Sequence, residues 1–323
     1  RSLAISASRS MRRYRRGGWL RSADRLRAPR SDRPPLTAAE AVSAACDLVP
    51  VLAERAAACE ALRRVPDETI QALHASGLMR IMQPARWGGA ELGFEVLLDC
   101  IIAMCRGCAS TAWVWLNYAT HDWNVGQLGL EAQSDVWGDN PDALVATGLA
   151  FPSGRAVPVA GGHRVTGRWP FGSGVDAADW MLVGAVVDLG EGATERRFML
   201  VPRADFRSLD DWRAYGLAGT GSHNVEVTDV FVPEHRSIRA ELFASGFDCP
   251  GAAVSSCWLY RAPPFPAFGF ALAMVPLGVA RAALDIFTAS MRRRAGTYTG
   301  ARLAELGSVQ ARIAEAAACV DSA

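Results

Sequence analysis

Ser173 stands between Gly172 and Gly174 at the end of a run, Gly162 to Gly174, that reads as a strand closing on an aromatic pair. The two glycines free the backbone on both sides of the serine, so that its amide and hydroxyl can approach a flat ligand closely. In an extended chain Trp169 and Phe171 fall on one face, with Pro170 between them. Such a face can wall a planar ring, and a hydroxyl at its edge can hydrogen-bond a ring heteroatom. The competing reading is a strand end and turn of an ordinary β domain, with the aromatic pair in its core.

A second chemical group lies at helical spacing. His121 has Asn117 at i−4 and Asn124 at i+3, a short polar stripe on an otherwise apolar helix. Buried polar groups need partners, and an imidazole can serve as donor or base near neutral pH. A satisfied core histidine is the alternative. Gly219-Thr220-Gly221-Ser222 offers two hydroxyls on a glycine turn. It is not a dinucleotide fingerprint, because Asn224 takes the third glycine's place and a strand pattern follows it. No Gly-x-Gly-x-x-Gly follows a strand pattern, so no nicotinamide domain is expected. Cys105-Arg-Gly-Cys108 lacks a second pair and a histidine at zinc spacing. It reads as buried small apolar residues, and no metal site is expected.

These residues need elements to hold them. Residues 37–142 read as an α domain. Thr37 and Glu40 form a capping box, and an apolar stripe runs to about Leu62 with Pro50 as a kink. Pro66-Asp67-Glu68 opens a second helix that Gly77 stops, and a third covers about Phe94 to Met104. A fourth, capped by Ser110, carries His121 to about Leu128. Residues 143–240 show short β-branched runs broken by glycine, with a hairpin signal at Gly161-Gly162, and read as a central antiparallel β domain. Residues 241–323 read as the start of a C-terminal α bundle. It holds a buried core helix from Ala267 to about Arg293 and a second helix to Ala323. Two helices bury little core alone, so the bundle is expected to be truncated. The expected fold class is α+β.

Composition narrows the function. The net charge of +1 is the sum of two unlike parts. Residues 1–36 hold 11 arginines against Asp24 and Asp32, which leaves 23 basic and 31 acidic residues in the body. This Arg- and Ser-rich stretch reads as a disordered extension, and the acidic body argues against a nucleic-acid partner. Eight cysteines without a secretory signal fit a reduced, cytoplasmic compartment. The uncharged run Pro263 to Ala280 touches the lower limit of a membrane span, but its prolines favour a core helix, and no membrane partner is expected.

The order of the motifs sharpens this reading. Arg80 to Gly89, Ser110-Thr-Ala-Trp113, Trp169 to Gly174, and Gly219 to Ser222 followed by Asp229 to Glu234 occur in that sequence. Together they resemble the acyl-CoA dehydrogenase superfamily over about Leu48 to Ala323. More closely they resemble its flavin-dependent monooxygenase branch, the oxygenase components of two-component aromatic hydroxylases. The resemblance implies an N-terminal helical domain, a central β domain and a C-terminal bundle, assembled as a homotetramer. It implies that a separate NAD(P)H-dependent flavin reductase supplies FMNH2 or FADH2. With O2 this forms a C4a-hydroperoxide, which hydroxylates a small phenolic substrate in a site that excludes water.

Site roles follow from the same resemblance. Ser173 would lie beside flavin N5 as a hydroxyl donor, with Trp169 and Phe171 as walls and Thr220 and Ser222 close to the flavin. Arg292 would reach the flavin phosphate across a subunit contact. His121 would bind the substrate phenolate as donor or base, with Asn117 and Thr147 in the same pocket. A second catalytic histidine of the hydroxylases, and the base glutamate of acyl-CoA dehydrogenases, belong to segments near or beyond Ala323, so the chain as given is expected to be a poor enzyme. An acyl-CoA dehydrogenase-like FAD oxidoreductase and a truncated non-catalytic paralogue are the alternatives.

Overall fold

The computed structural model describes residues 34–323 except Thr299; the extension expected over residues 1–36 falls outside them but for its last three residues. Thr37 opens α1 (Ala38–Leu62) as its sequence signature requires. Its hydroxyl accepts from the Glu40 amide, and the Glu40 carboxylate accepts from the Thr37 amide at 2.8 Å. Pro50 lies inside α1 without ending it. Gly77, at φ 84°, stops α2 (Asp67–Ser76). α3 (Phe94–Cys105), α4 (Ala109–Gly126) and α5 (Leu130–Trp137) follow.

α4 begins just before Ser110, and Cys108 is its N-cap residue. The Ser110 hydroxyl is drawn away from capping because it donates to Glu60 of α1 at 2.7 Å. Every residue of α4 except Ala109 and Trp113 is buried, as expected for a helix apolar on all sides. Several of its polar side chains therefore find partners in neighbouring layers, while Asn117 and Thr120 bond back to α4's own carbonyls. Trp115 Nε1 donates to Leu78 O at 3.1 Å and Trp123 Nε1 to Leu259 O at 2.6 Å.

The β layer has eight strands: β1 (Val145–Gly148), β2 (Gly154–Val159), β3 (Gly162–Gly172), β4 (Trp180–Gly190), β5 (Ala193–Pro202), β6 (Arg207–Leu209), β7 (His223–Pro233) and β8 (Ser237–Arg239). Their order is β6-β7-β3-β2-β4-β5-β8, with β1 also paired to β4. The sheet is mixed rather than antiparallel, because β1 and β2 both run parallel to β4. Alternation in a sequence reports the buried face of a strand, and pairing direction is set by the crossover that brings β4 back beside strands that precede it. The hairpin at Gly161 is present, with φ 82° at that residue.

Helix returns with α6 (Ala240–Ser245), α7 (Pro250–Val254), α8 (Pro264–Arg293) and α9 (Gly307–Ser322). α8 starts at Pro264, not Ala267: Pro264 and Pro266 occupy its first turn, where amide hydrogens have no intrahelical acceptor. The expectation of a buried core helix is corrected. Only Pro264, Ala271, Val275, Gly278 and Met291 of α8 are buried, while Phe270, Ile286 and Phe287 are exposed. By length and composition α8 is long and apolar enough to cross a membrane. One face packs on α3, where a side chain on Gly278 would strike Cys105 at 2.7 Å.

Because α4 is enclosed by the other layers, its large side chains carry much of the stability. Trp115→Ala is expected to lower unfolding free energy by about 3–5 kcal/mol, through a large cavity and an orphaned Leu78 carbonyl. Urea unfolding followed by circular dichroism measures the loss.

Candidate functional site

The end of β3 departs from regular extended structure. Trp169 pairs with Val225 and Gly172 with His223, so two residues of β3 face one of β7. The extra residue is accommodated by Phe171, whose φ of 63° is in the left-handed region. This corrects the expectation that Trp169 and Phe171 share a face. Trp169 is fully buried in the sheet core, where its Nε1 donates to Gly184 O at 2.8 Å. Phe171 is turned outward, 68% exposed, with its ring edge-on to Trp212 at 6.2 Å. A wall role for Trp169 is therefore lost to packing, while Phe171 stands free beside Ser173.

The glycines around Ser173 admit close approach, though partly to the protein itself. A side chain on Gly174, at φ 73°, would meet Tyr118 Oη at 2.6 Å. That hydroxyl donates to Gly174 O at 2.5 Å, and burial pushes its pKa up, which keeps it a neutral donor. Gly174 N donates to Thr220 O at 2.9 Å, which docks the Gly219–Ser222 turn onto the end of β3. Ser173 thus becomes a neighbour of Ser222 and Thr220, although Ser222 lies 49 residues further along the chain. Ser173 Oγ lies 2.8 Å from Ser222 Oγ, and Ser222 Oγ lies 2.6 Å from Thr220 Oγ1. Thr220 donates to Leu217 O at 2.9 Å. At the other end Trp113 Nε1 donates to Ser173 Oγ at 3.0 Å.

His121, on α4's polar stripe, is buried. Its Nδ1 is 2.7 Å from Val145 O and its Nε2 is 3.0 Å from Thr147 Oγ1. A carbonyl only accepts, so Nδ1 carries the proton and Nε2 accepts from the Thr147 hydroxyl. Burial lowers the pKa to about 4. The expectation of His121 as donor or base toward a substrate oxygen is not met by a free ring nitrogen in this structure. The ring is neutral, its proton is engaged, and its lone pair orients half-buried Thr147. Asn117 turns its amide back to Trp113 O at 2.7 Å. Asn124, also buried, makes no side-chain hydrogen bond among the described residues. It lines a cleft between α4 and α8 with Trp123, Leu149, Phe243, Phe265 and Phe268.

Arg292 is exposed in the last turn of α8, where a cation suits the carbonyl end of the helix. None of the hydrogen bonds joining Ser173, Ser222 and Thr220 reaches it. Cys105 and Cys108 do not act together: Cys105 Sγ points at Val275 O, at 3.7 Å, and Cys108 precedes α4. Among the described residues no group of His, Cys, Asp and Glu is arranged to hold a metal. The sequence offered Trp113 only as the end of the Ser110-Thr-Ala-Trp113 motif; its link to Ser173 crosses 60 residues and has no local signature. The signal for Asn124 was present in the stripe with Asn117 and His121.

Acyl-CoA dehydrogenase family models match this chain twice, the N-terminal domain over residues 41–138 and the C-terminal domain over residues 270–323. The flavin-dependent monooxygenase oxygenase subunit HsaA of Rhodococcus jostii (strain RHA1) is 33% identical over 277 residues, covering 85% of this chain and 72% of that protein. This chain belongs to the flavin-dependent monooxygenase family. The FADH2-dependent resorcinol hydroxylase oxygenase component of Rhizobium sp. (strain MTP-10005) is 36% identical, over 82% of this chain and 66% of that protein. The solved structure of XiaF from Streptomyces sp., in complex with FADH2 and glycerol, shares 30% identity and a TM-score of 0.80, covering 88% of this chain and 72% of that one. These relatives favour a monooxygenase over an acyl-CoA dehydrogenase. The residues present fit the monooxygenase cofactor, a reduced flavin: a free aromatic ring stands at Phe171, and the Ser173 hydroxyl lies at the edge of a bulge flanked by two glycines.

The environment of His121 makes stability depend on pH. Its folded pKa, about 4, lies below the ordinary 6.5, so the unfolded chain takes up the proton first as pH falls. Stability is full above pH 6.5 and is lost between pH 6.5 and 4, by about 3 kcal/mol from this group. His121→Asn is expected to show a shallower decline over that window, read from urea midpoints at pH 4.5 and pH 7.5.

Proposed function

We propose that this monooxygenase is the oxygenase component of a two-component system that hydroxylates a small phenolic ring with reduced flavin and O2. A separate NAD(P)H-dependent reductase supplies the flavin. When bound, reduced flavin provides the two electrons with which O2 converts a ring C–H to C–OH and leaves water. The observation that carries the reading is the buried hydroxyl cluster of Ser173, Ser222 and Thr220, held by Trp113 next to the exposed Phe171 ring. Phe171 offers a ring face to the flavin, and Ser173 offers a hydrogen-bonding edge. Trp169 supports both from the sheet core.

The cleft between α4 and α8 is closed down to about the size of a water molecule, so a ring substrate enters it only as its aromatic lining parts. Its aromatic lining suits a ring, and Asn124 supplies an unpaired amide for a ring substituent. Thr147 is held by His121 on the neighbouring strand β1. The neutral, enclosed imidazole holds the Thr147 hydroxyl in place without adding a charge. Homotetramer assembly and a cytoplasmic location belong to the same reading; Phe270, Ile286 and Phe287 on α8 support burial against further protein.

The test mixes the protein with a flavin reductase, NADH, FAD or FMN, and a panel of phenols under 18O2. One labelled oxygen per product is expected. Oxidation of NADH that ends wholly in hydrogen peroxide, with no labelled phenol across the panel, overturns the reading. Asn124→Leu is expected to raise KM about tenfold for substrates with a second polar ring substituent, the worth of one lost hydrogen bond, and to leave that for plain phenol unchanged.

A further inference from the structure

We propose that Cys59 and Cys108 are a peroxide-sensitive dithiol, which two-electron oxidation closes into a disulfide behind the Gly219–Ser222 turn. The pair is independent of the flavin reading above, and its test needs no flavin.

The fold brings the two thiols together from α1 and from the residue that opens α4. Ser110 donates to Glu60 at 2.7 Å, which clamps the end of α1 against the first turn of α4. Cys59 directly precedes Glu60, and Cys108 is the N-cap residue of α4. Their thiols hydrogen-bond each other. Both also face Thr111, whose Oγ1 lies 4.0 Å from Cys59 Sγ. Cys105, the nearer cysteine in sequence, is directed elsewhere, its Sγ donating to Val275 O at 3.7 Å. Cys59 is 1% exposed and Cys108 6%. Such burial shields the pair from bulky thiols, while a molecule as small as hydrogen peroxide reaches Cys108 when the helix ends open locally.

The two sulfurs differ in their surroundings. The Cys59 thiol donates to Cys108, and the Thr111 hydroxyl and the Thr111 and Ser110 amides face Cys108 at the start of α4. Against the opposing effect of burial, they lower its pKa to about 6. The same hydrogen bond, burial and the nearby Glu60 carboxylate push Cys59 up, so it keeps its proton. Cys108 is therefore the attacking sulfur. Its thiolate forms an S–O bond to hydrogen peroxide as the O–O bond breaks, and the hydroxide released takes up the proton that Cys108 lost. Cys59 then attacks the sulfenic sulfur. The S–S bond forms, the S–O bond breaks, and the oxygen leaves as water with the Cys59 proton. Two thiols and one peroxide give one disulfide and two waters.

Closure draws the sulfurs to about 2.05 Å and removes the proton that Cys59 also shares with Gly219 O at 3.4 Å. The turn has no slack at that point, because a side chain on Gly219 would lie 2.4 Å from Cys59 Sγ. The cross-link thus acts on the turn that carries Thr220 and Ser222.

The experiment treats the reduced full chain with hydrogen peroxide, alkylates the remaining thiols after denaturation and maps the peptides by mass spectrometry. Two of the eight thiols are expected to be lost, joined as Cys59–Cys108, and to return with dithiothreitol. Cys105→Ser is expected to leave that link unchanged. Cys59→Ser strands the sulfenic acid, so a dimedone adduct on Cys108 is expected in place of the disulfide. Eight intact thiols, or a link between any other pair, Cys105–Cys108 included, overturns the inference. A folded Cys59→Ser chain with its adduct on another cysteine overturns the assignment of Cys108 as the attacking sulfur. The peptide map of the unsubstituted chain carries the test alone if that variant does not fold.

Discussion

The structure depends on burying α4 from every side. A helix with water on one face can send its polar side chains outward; α4 has no such face. Each of its polar groups must bond to whichever layer packs against it, turn back to a carbonyl of its own helix as Asn117 and Thr120 do, or leave a desolvated donor at a cost of about 1–3 kcal/mol. Trp115 reaches the turn after α2, Trp123 the segment before α8, Tyr118 and Trp113 the end of β3, and His121 the first strand. The helix is thereby a hub whose hydrogen bonds pin the helical domain, the sheet and the C-terminal helices in one register. The candidate site is where two of these ties, from Trp113 and Tyr118, converge on Ser173 and Gly174.

The sheet answers with local irregularity. A regular β3 would bury Phe171 beside Trp169 and leave no aromatic ring at the surface near the serine. One residue in the left-handed region and one extra residue opposite β7 reverse the alternation at the place where the chain leaves the sheet. The Gly219–Ser222 turn then docks through Gly174 N, which brings the Ser222 hydroxyl within 2.8 Å of that of Ser173. Two irregular segments and one enclosed helix together produce a polar edge beside an exposed ring. The same packing explains why His121 is quiet: enclosed between α4 and β1, its nitrogens serve the protein's own carbonyl and hydroxyl.

Local features were legible because their causes are local. The capping box of Thr37 and Glu40, the stop at Gly77, the hairpin at Gly161 and the helix from Phe94 all depend on residues within a few positions. Features that depend on distant packing were not. Ser110 looked like a cap until Glu60, 50 residues earlier, claimed its hydroxyl. Pairing direction in the sheet and the exposed faces of α8 likewise depend on which elements meet.

The sequence by itself determined the inventory: a serine between glycines, a second glycine turn with two hydroxyls, and a polar stripe on an apolar helix, in an order that marks the family. Turn chemistry and side-chain type are properties of short stretches, so they survive without knowledge of the fold. Only the tertiary structure decided what those groups do. Ser173 meets Ser222 across 49 residues and Trp113 across 60; His121 meets Val145 and Thr147 across 24 and 26. A hydroxyl or an imidazole can donate or accept, and which it does is settled by the partner that cannot change roles, a carbonyl against His121 or an indole N–H against Ser173.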